Sequence, residues 1–305
     1  TRIDPGKASS EEVLELRNEL TACLSTPDLH GFQREEPGYF PEWGAEAFDS
    51  GLERYAYIDK QRRVAVRRWG TGEIPLLFPF PRQNRFWYSS AQFSPDDRFL
   101  LVRFDCLEAP NWCVVWDLET GKTLLEVPHR QDADIMGAPP IVAANLEDGS
   151  IAVFDRPGGK ELRRFATDAA SVAKLRLNPD ASRIAVARQG KLAIHDVSTG
   201  AELHSWDCPG AAALAWSHDS RWVAVAGFDR VARVFEAETG LERAVLAWHE
   251  GAIIRMVFSP DGRLLCTSSW DGTLRLWDFL LGRERIRLPG LGIRWGREPP
   301  GQLSP

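Results

Sequence analysis

Six times in this 305-residue chain a large side chain is followed, five positions later, by glycine. The pairs are Arg67 with Gly72, Trp116 with Gly121, Phe154 with Gly159, His195 with Gly200, Phe235 with Gly240 and Trp277 with Gly282. Their first members are spaced 49, 38, 41, 40 and 42 residues apart. A fixed offset at that interval requires one turn geometry reused along the chain, so the fold must be built from repeated units. The fullest copy runs from His249 to Asp278, HEGAIIRMVFSPDGRLLCTSSWDGTLRLWD. Its three apolar runs are cut by the turns Ser259-Pro260-Asp261-Gly262 and Trp270-Asp271-Gly272, which predicts a three-stranded antiparallel meander. A fourth strand is expected from Arg285 to Leu288, giving one four-stranded sheet of about 40 residues per unit.

The first turn recurs as Ser94-Pro95-Asp96-Asp97, Asn178-Pro179-Asp180 and Ser217-His218-Asp219-Ser220, with a degenerate Asp49-Ser50-Gly51 in the first unit and a shortened connection around Pro139-Pro140 in the third. Runs such as Ile184 to Ala187, Trp222 to Ala226 and Leu264 to Cys266 are apolar at successive positions, so both faces of each sheet are expected to be covered by neighbouring units. No unit is stable alone, and a closed ring is the economical arrangement. The expected fold is all-β, a propeller of four-stranded antiparallel blades with six complete repeats and the start of a seventh at Gly292-Ile293-Arg294-Trp295. A seven-position ring with an incomplete last blade is favoured over closure by six blades, and residues 29 to 36 are the candidate closing strand. One amphipathic helix precedes the array: Ser9 and Glu12 form a capping box, and Val13, Leu16, Leu20 and Leu24 recur at helical spacing. The expected division is 1–28, helix and linker, and 29–305, propeller.

Leu276-Trp277-Asp278 and Val115-Trp116-Asp117, with SPDGR and DGTLRLWD in place, resemble the WD-repeat β-propeller family over residues 43 to 296. The resemblance implies a hydrogen-bonded structural tetrad, here His249, Ser268, Asp271 and Trp277, its hydroxyl drawn from Thr267 to Ser269. Other units keep fragments, Asp148 with Phe154 and Asp229 with Phe235, while Gln189 and His195 replace both members in the fourth. The order of helix, AFDSGLERYAYIDKQRRVAVRR and repeats also resembles bacterial multidomain proteins in which a serine/threonine kinase domain precedes a helical linker and WD repeats. None of the kinase's own signatures occurs in this chain: no glycine-rich phosphate loop, no His-Arg-Asp and no Asp-Phe-Gly.

The formal charge of −6 is spread along the chain with no basic stripe, which argues against nucleic acid or an anionic membrane as partner. Five cysteines without paired metal-type spacing point to buried thiols in a reducing, cytoplasmic setting. No run of 18 apolar residues is present. The six histidines fall in different repeats without metal-ligand spacing, and His249 and Asp271 sit at tetrad positions, so the expectation is no catalytic residue, no metal and no cofactor. The expected activity is a non-catalytic protein-interaction scaffold or sensor, monomeric, within a bacterial signalling protein. The alternatives are a propeller enzyme with a site in the central channel and an autonomous repeat protein with no kinase partner. The face carrying the second-to-third-strand turns offers Trp270 and Phe228, with Trp248 in the connection beside them and Arg188 one blade on, as candidate partner-binding residues. Packing of these rings between blades is the competing reading. The irregular loop Asp105 to Trp112 is the other place where specificity could reside.

Overall fold

Twenty-four strands, arranged as six four-stranded antiparallel sheets, make up the regular structure of the computed structural model. It describes residues 47–289 except 52, 60–62, 69–75, 80–85, 107–109, 156–158, 167–171 and 189. The expected helix at 9–25, the segment 29 to 36, the seventh-unit strand at Gly292 to Trp295, and Gly72 and Gln189 lie outside the described residues. Each sheet is a meander whose strands follow chain order from first to fourth. From first strand to fourth, blade one runs from Ala47–Phe48 to Leu76–Phe78, blade two from Phe86–Phe93 to Thr123–His129, blade three from Ala133–Met136 to Glu161–Phe165 and blade four from Val172–Leu177 to Glu202–Asp207; blade five runs Ala211–Trp216, Trp222–Gly227, Ala232–Glu236 and Glu242–Leu246, and blade six Ile253–Phe258, Leu264–Ser269, Thr273–Asp278 and Arg283–Pro289.

The core is divided into layers, one between each pair of neighbouring blades. In the second strand of blade four, Ile184 and Val186 join a cluster with blade three, while Ala185 and Ala187 join one with blade five. All four are fully buried. Period-two alternation therefore sends successive apolar side chains into different cores, which is why the run is continuous rather than amphipathic. The same division places Met256, Phe258, Leu265 and Trp277 of blade six against blade five, and Val257, Leu264, Cys266, Leu274 and Leu276 on its opposite face. The first strands of consecutive blades pack on one another along blades three to six, so these strands line the axis of the propeller.

The repeated turns have repeated geometry. Gly121, Gly159, Gly200, Gly240 and Gly282 all have left-handed φ, between 62° and 76°, where a side chain would be strained. In the first turn the fourth residue is also left-handed whatever its identity: Asp97, Ala181, Ser220 and Gly262 have φ of 55°, 57°, 60° and 70°. The backbone N–H of this residue donates to the carbonyl of the first, and the serine hydroxyls of Ser94, Ser217 and Ser259 donate to Asp96, Asp219 and Asp261 at 2.5, 2.6 and 2.5 Å. Hydrogen bonding by the flanking Ser and Asp holds a conformation that only glycine adopts freely. In blade one Asp49 supplies the acceptor instead, for the N–H groups of Glu53 and Arg54. The irregular loop of blade two is shorter than expected, because its second strand continues to Cys106 and its third begins at Asn111. Asn111 closes it by accepting from the Cys106 N–H and donating to the Arg130 carbonyl.

Polar bonds cross the blade boundaries at the inner edge. Asp132, at the entry to blade three and fully buried, forms ion pairs with Arg103 of blade two and Arg176 of blade four and accepts from the Leu175 N–H at 3.0 Å. Asp134 likewise accepts from the Leu177 N–H at 2.7 Å, and the Trp216 indole of blade five donates to the Arg176 carbonyl at 3.0 Å. No turn or repeat signal points to Asp132, since it stands outside the strand and the recurring motifs. Converting its carboxylate to an amide removes the counter-ion shared by two largely buried guanidinium groups, and breaking a buried pair in this way costs about 3–5 kcal/mol. Asp132→Asn is accordingly expected to lower the urea midpoint strongly, whereas Asp261→Asn in an exposed turn should cost less than about 1 kcal/mol of stability in the same titration.

Candidate interaction surface and its hydrogen-bonded support

Blade six carries a relay of polar groups linking three of its segments. The Asp271 carboxylate accepts from His249 Nδ1 at 2.8 Å, His249 Nε2 faces the Thr267 hydroxyl at 2.7 Å, and the Trp277 indole N–H donates to that hydroxyl at 2.8 Å. The Thr267 hydroxyl accepts from the indole N–H and can donate to Nε2, an arrangement in which His249 is neutral with its proton on Nδ1, facing Asp271. Burial lowers the His249 pKa, against the opposing pull of Asp271. Burial also opposes ionisation of Asp271, but hydrogen bonds from Thr273, the Glu250 N–H and His249 outweigh it and hold the carboxyl well below its ordinary value.

The hydroxyl in this relay belongs to Thr267 and not to Ser268, which corrects the assignment made from the sequence. Strand alternation explains the difference. Thr267 shares the blade-five face with Leu265 and Trp277, whereas Ser268 points with Cys266 to the opposite face. Ser269, back on the first face, donates to the Gly251 carbonyl at 2.9 Å.

Other blades solve the same problem differently. In blade four His195 lies in the third strand, takes a hydrogen bond from Arg188 at 3.2 Å on Nε2 and directs Nδ1 to the Gly200 carbonyl at 3.4 Å. Burial and then the Arg188 charge lower its pKa, against the Gly200 hydrogen bond. Arg188 is therefore a buried internal donor, 8% exposed, and not the exposed cation expected beside the aromatic residues. In blade five Phe235 cannot donate, and Trp206 from blade four stacks on it at 4.4 Å while giving its indole proton to the Gly240 carbonyl at 2.9 Å. Asp229 pairs with Arg233 at 2.6 Å, and in blade three Asp148 accepts from the Ser150 hydroxyl and N–H.

Two of the four candidate binding residues come together at the surface. Phe228 and Trp270 open the equivalent turns of blades five and six, are 61% and 53% exposed, and meet edge to face with ring centroids 5.7 Å apart. Their backbones are pinned: the Phe228 N–H donates to the Gly210 carbonyl and the Trp270 N–H to the Ala252 carbonyl, each at 2.9 Å. Gly227 permits this approach, because a Cβ there would lie 1.7 Å from the Gly210 oxygen. Arg230, missed by the sequence reading, reaches the Glu250 carbonyl at 3.4 Å and ties the turn of blade five to the entry of blade six. Trp248 is equally exposed but rests on Trp277, centroids 5.5 Å apart, and makes no ring contact with Phe228 or Trp270. Among the described residues there is no group of three His, Cys, Asp or Glu side chains arranged to hold a metal, and no helix long and apolar enough to cross a membrane.

Comparison with known proteins places the chain among repeat proteins. Residues 200–236 and 240–278 match the WD domain, G-beta repeat family. The chain is 27% identical over 221 residues to a guanine nucleotide-binding protein subunit beta of Solanum tuberosum and 26% identical over 224 residues to that of Oryza sativa subsp. japonica. Each alignment covers 64% of this chain and 57% of the relative, so the chain spans little more than half the length of these proteins. It is also 29% identical over 140 residues to the serine-threonine kinase receptor-associated protein of Gallus gallus, covering 46% of this chain and 40% of that protein.

The relay sets one expected outcome. Thr267→Val keeps the volume but leaves a buried indole N–H and a ring nitrogen unpaired, so it should destabilise the protein by about 2–4 kcal/mol, and Ser268→Ala by less than about 1 kcal/mol, in chemical denaturation. His129, at the end of the fourth strand of blade two and outside the relay, sets another: burial and the nearby Arg103 push its pKa down to about 4. The unfolded chain, with a histidine near 6.5, binds the proton first, so the stability due to neutral His129 is complete above about pH 6.5 and declines as the pH falls toward 4, by up to about 3 kcal/mol. His129→Leu should flatten that limb of the stability profile.

Proposed function

We propose that this WD-repeat chain is a non-catalytic protein-interaction scaffold whose partner docks over Phe228 and Trp270. The observation carrying the reading is two large apolar rings left exposed on turns whose backbones are locked by hydrogen bonds. A rigid pair of this kind loses little conformational entropy on binding, and aromatic anchors of this type dominate interface energetics. The relatives' names support binding as the activity, since they describe a subunit of a guanine nucleotide-binding protein and a receptor-associated protein. Within this proposal the chain works in the bacterial cytoplasm as the sensor or scaffold part of a larger signalling protein, following a serine/threonine kinase domain, and is itself monomeric. The succession of an expected helix and then repeats along the sequence supports that context. The coding sequence upstream of Thr1 tests it, and a reading frame without a kinase domain overturns it.

The docking surface is tested by Phe228→Ala/Trp270→Ala. Loss of two central anchors is expected to reduce partner recovery from native lysate at least tenfold with an unchanged circular dichroism spectrum. Trp248→Ala, whose ring belongs to a separate pair, should have the smaller effect. Equal recovery by the double variant and the parent protein removes the patch from consideration.

A further inference from the structure

Three segments meet at the exposed ring pair and are tied to one another by hydrogen bonds. They are the turn Phe228-Asp229-Arg230 of blade five, the turn Trp270-Asp271-Gly272 of blade six, and Trp248-His249-Glu250-Gly251, which connects the two blades. The Glu250 N–H donates to the Asp271 carboxylate at 2.9 Å, and the Glu250 carbonyl accepts from Arg230 at 3.4 Å. Gly251 lies against the blade-six turn, since a Cβ there would stand 2.6 Å from the Asp271 nitrogen and 3.0 Å from the Trp270 carbonyl carbon. Glu250 is thereby held between the turn that carries Phe228 and the turn that carries Trp270, on a backbone fixed at both its N–H and its carbonyl.

The charges on these segments lean toward acid. They comprise the carboxylates of Asp229, Glu250 and Asp271 and one guanidinium, that of Arg230. Asp229 is matched by Arg233 at 2.6 Å. Asp271 is bonded to uncharged donors, Thr273, the Glu250 N–H and His249, so its negative charge is held without a cation. Glu250 is exposed, and among the described residues its carboxylate forms no hydrogen bond and no ion pair; Arg230 reaches its carbonyl instead. A lone exposed carboxylate is ordinarily just solvated. This one stands on a fixed backbone between two turns whose aromatic rings are also left open, and the combination matches one type of side chain.

We propose that the partner presents a basic side chain, arginine or lysine, whose aliphatic stem crosses the Phe228 and Trp270 rings and whose charged head meets Glu250. This rests on the docking of a partner over the two rings and names the group they receive. Arginine and lysine have both parts needed, since their methylene stems cover apolar surface while the head stays in polar surroundings. A cation over an aromatic face is also attracted by the ring quadrupole. An acidic residue would meet Glu250 and Asp271 as like charges. A purely apolar residue would cover the rings and strip water from Glu250 without replacing its hydrogen bonds. Asp271, ionised at the base of the blade-six turn, adds to the attraction for a cation.

Panning of a random dodecapeptide phage library on the full chain tests this, with the Phe228→Ala/Trp270→Ala protein as counter-selection. Sequences retained by the parent and rejected by that double variant should share an arginine or lysine. One such peptide, synthesised and titrated by calorimetry, should bind Glu250→Gln about fivefold to tenfold more weakly than the parent. Replacing its basic residue by norleucine should cost as much in the parent and little in Glu250→Gln. Added salt should weaken binding to the parent more than binding to Glu250→Gln. All the substituted residues are exposed, and an unchanged circular dichroism spectrum verifies the fold of each variant. Peptides that need both rings yet lack a basic residue, or that bind the parent and Glu250→Gln equally, overturn this inference and leave the docking surface in place. Peptides that bind the double variant as well as the parent, or no enrichment by the parent, overturn both.

Discussion

Every blade of this protein is a sheet with two apolar faces, and everything else follows from the need to cover both. A four-stranded sheet with continuous apolar strands has no solvated side, so it persists only between two others. The cores that result are shared: Ile184 and Ala185, adjacent in sequence, stabilise different pairs of blades. Such a scaffold leaves the faces of its sheets unavailable for binding. Turns and connections are what remain, and the Phe228–Trp270 pair lies on two such turns.

The polar groups between blades show how one packing problem admits several chemical solutions. Where a tryptophan ends the third strand of blade six, its indole proton needs an acceptor, and Thr267, His249 and Asp271 supply a chain that terminates in a charged carboxylate. Where phenylalanine occupies the position in blade five, the donor comes from the previous blade as Trp206. In blade four a histidine stands there and accepts a hydrogen bond from Arg188. The shared requirement is that a buried donor or acceptor be paired, not that a given residue be present. The two stretches matching the WD family each begin at the end of one blade and finish with the third strand of the next, residues 200–236 and 240–278. The sequence repeat is thus offset from the structural blade, and each repeat covalently joins two neighbouring sheets.

Much of this was legible before any coordinates. Turn residues act locally, so Ser259-Pro260-Asp261-Gly262 and the glycine at Gly282 could be placed from their own chemistry, and the apolar runs between them had to be strands. The tetrad was legible to within one residue: period two decides which of Thr267 and Ser268 faces Trp277, but the register that sets the phase is a property of the paired strands. The pairing of Phe228 with Trp270 was inferred from equivalent turns and depends on geometry shared between neighbouring repeats. Arg188 failed as a surface residue because a long side chain in a strand can turn inward when a buried acceptor such as His195 Nε2 is within reach. The short loop of blade two differed from expectation because strand pairing extended to Cys106 and Asn111.

Local chemistry, then, determined from the sequence alone that this chain makes four-stranded meanders joined at fixed turns, and their double-sided hydrophobicity determined that they stack. The tertiary structure decided which polar groups meet. Asp132 with Arg103 and Arg176, and Trp216 with the Arg176 carbonyl, come from different blades, and their approach is set by how the blades stack about the axis. Turn and strand preferences act over a few residues, whereas charge acts over ångströms of space, so contacts between blades exist only once the blades are in place.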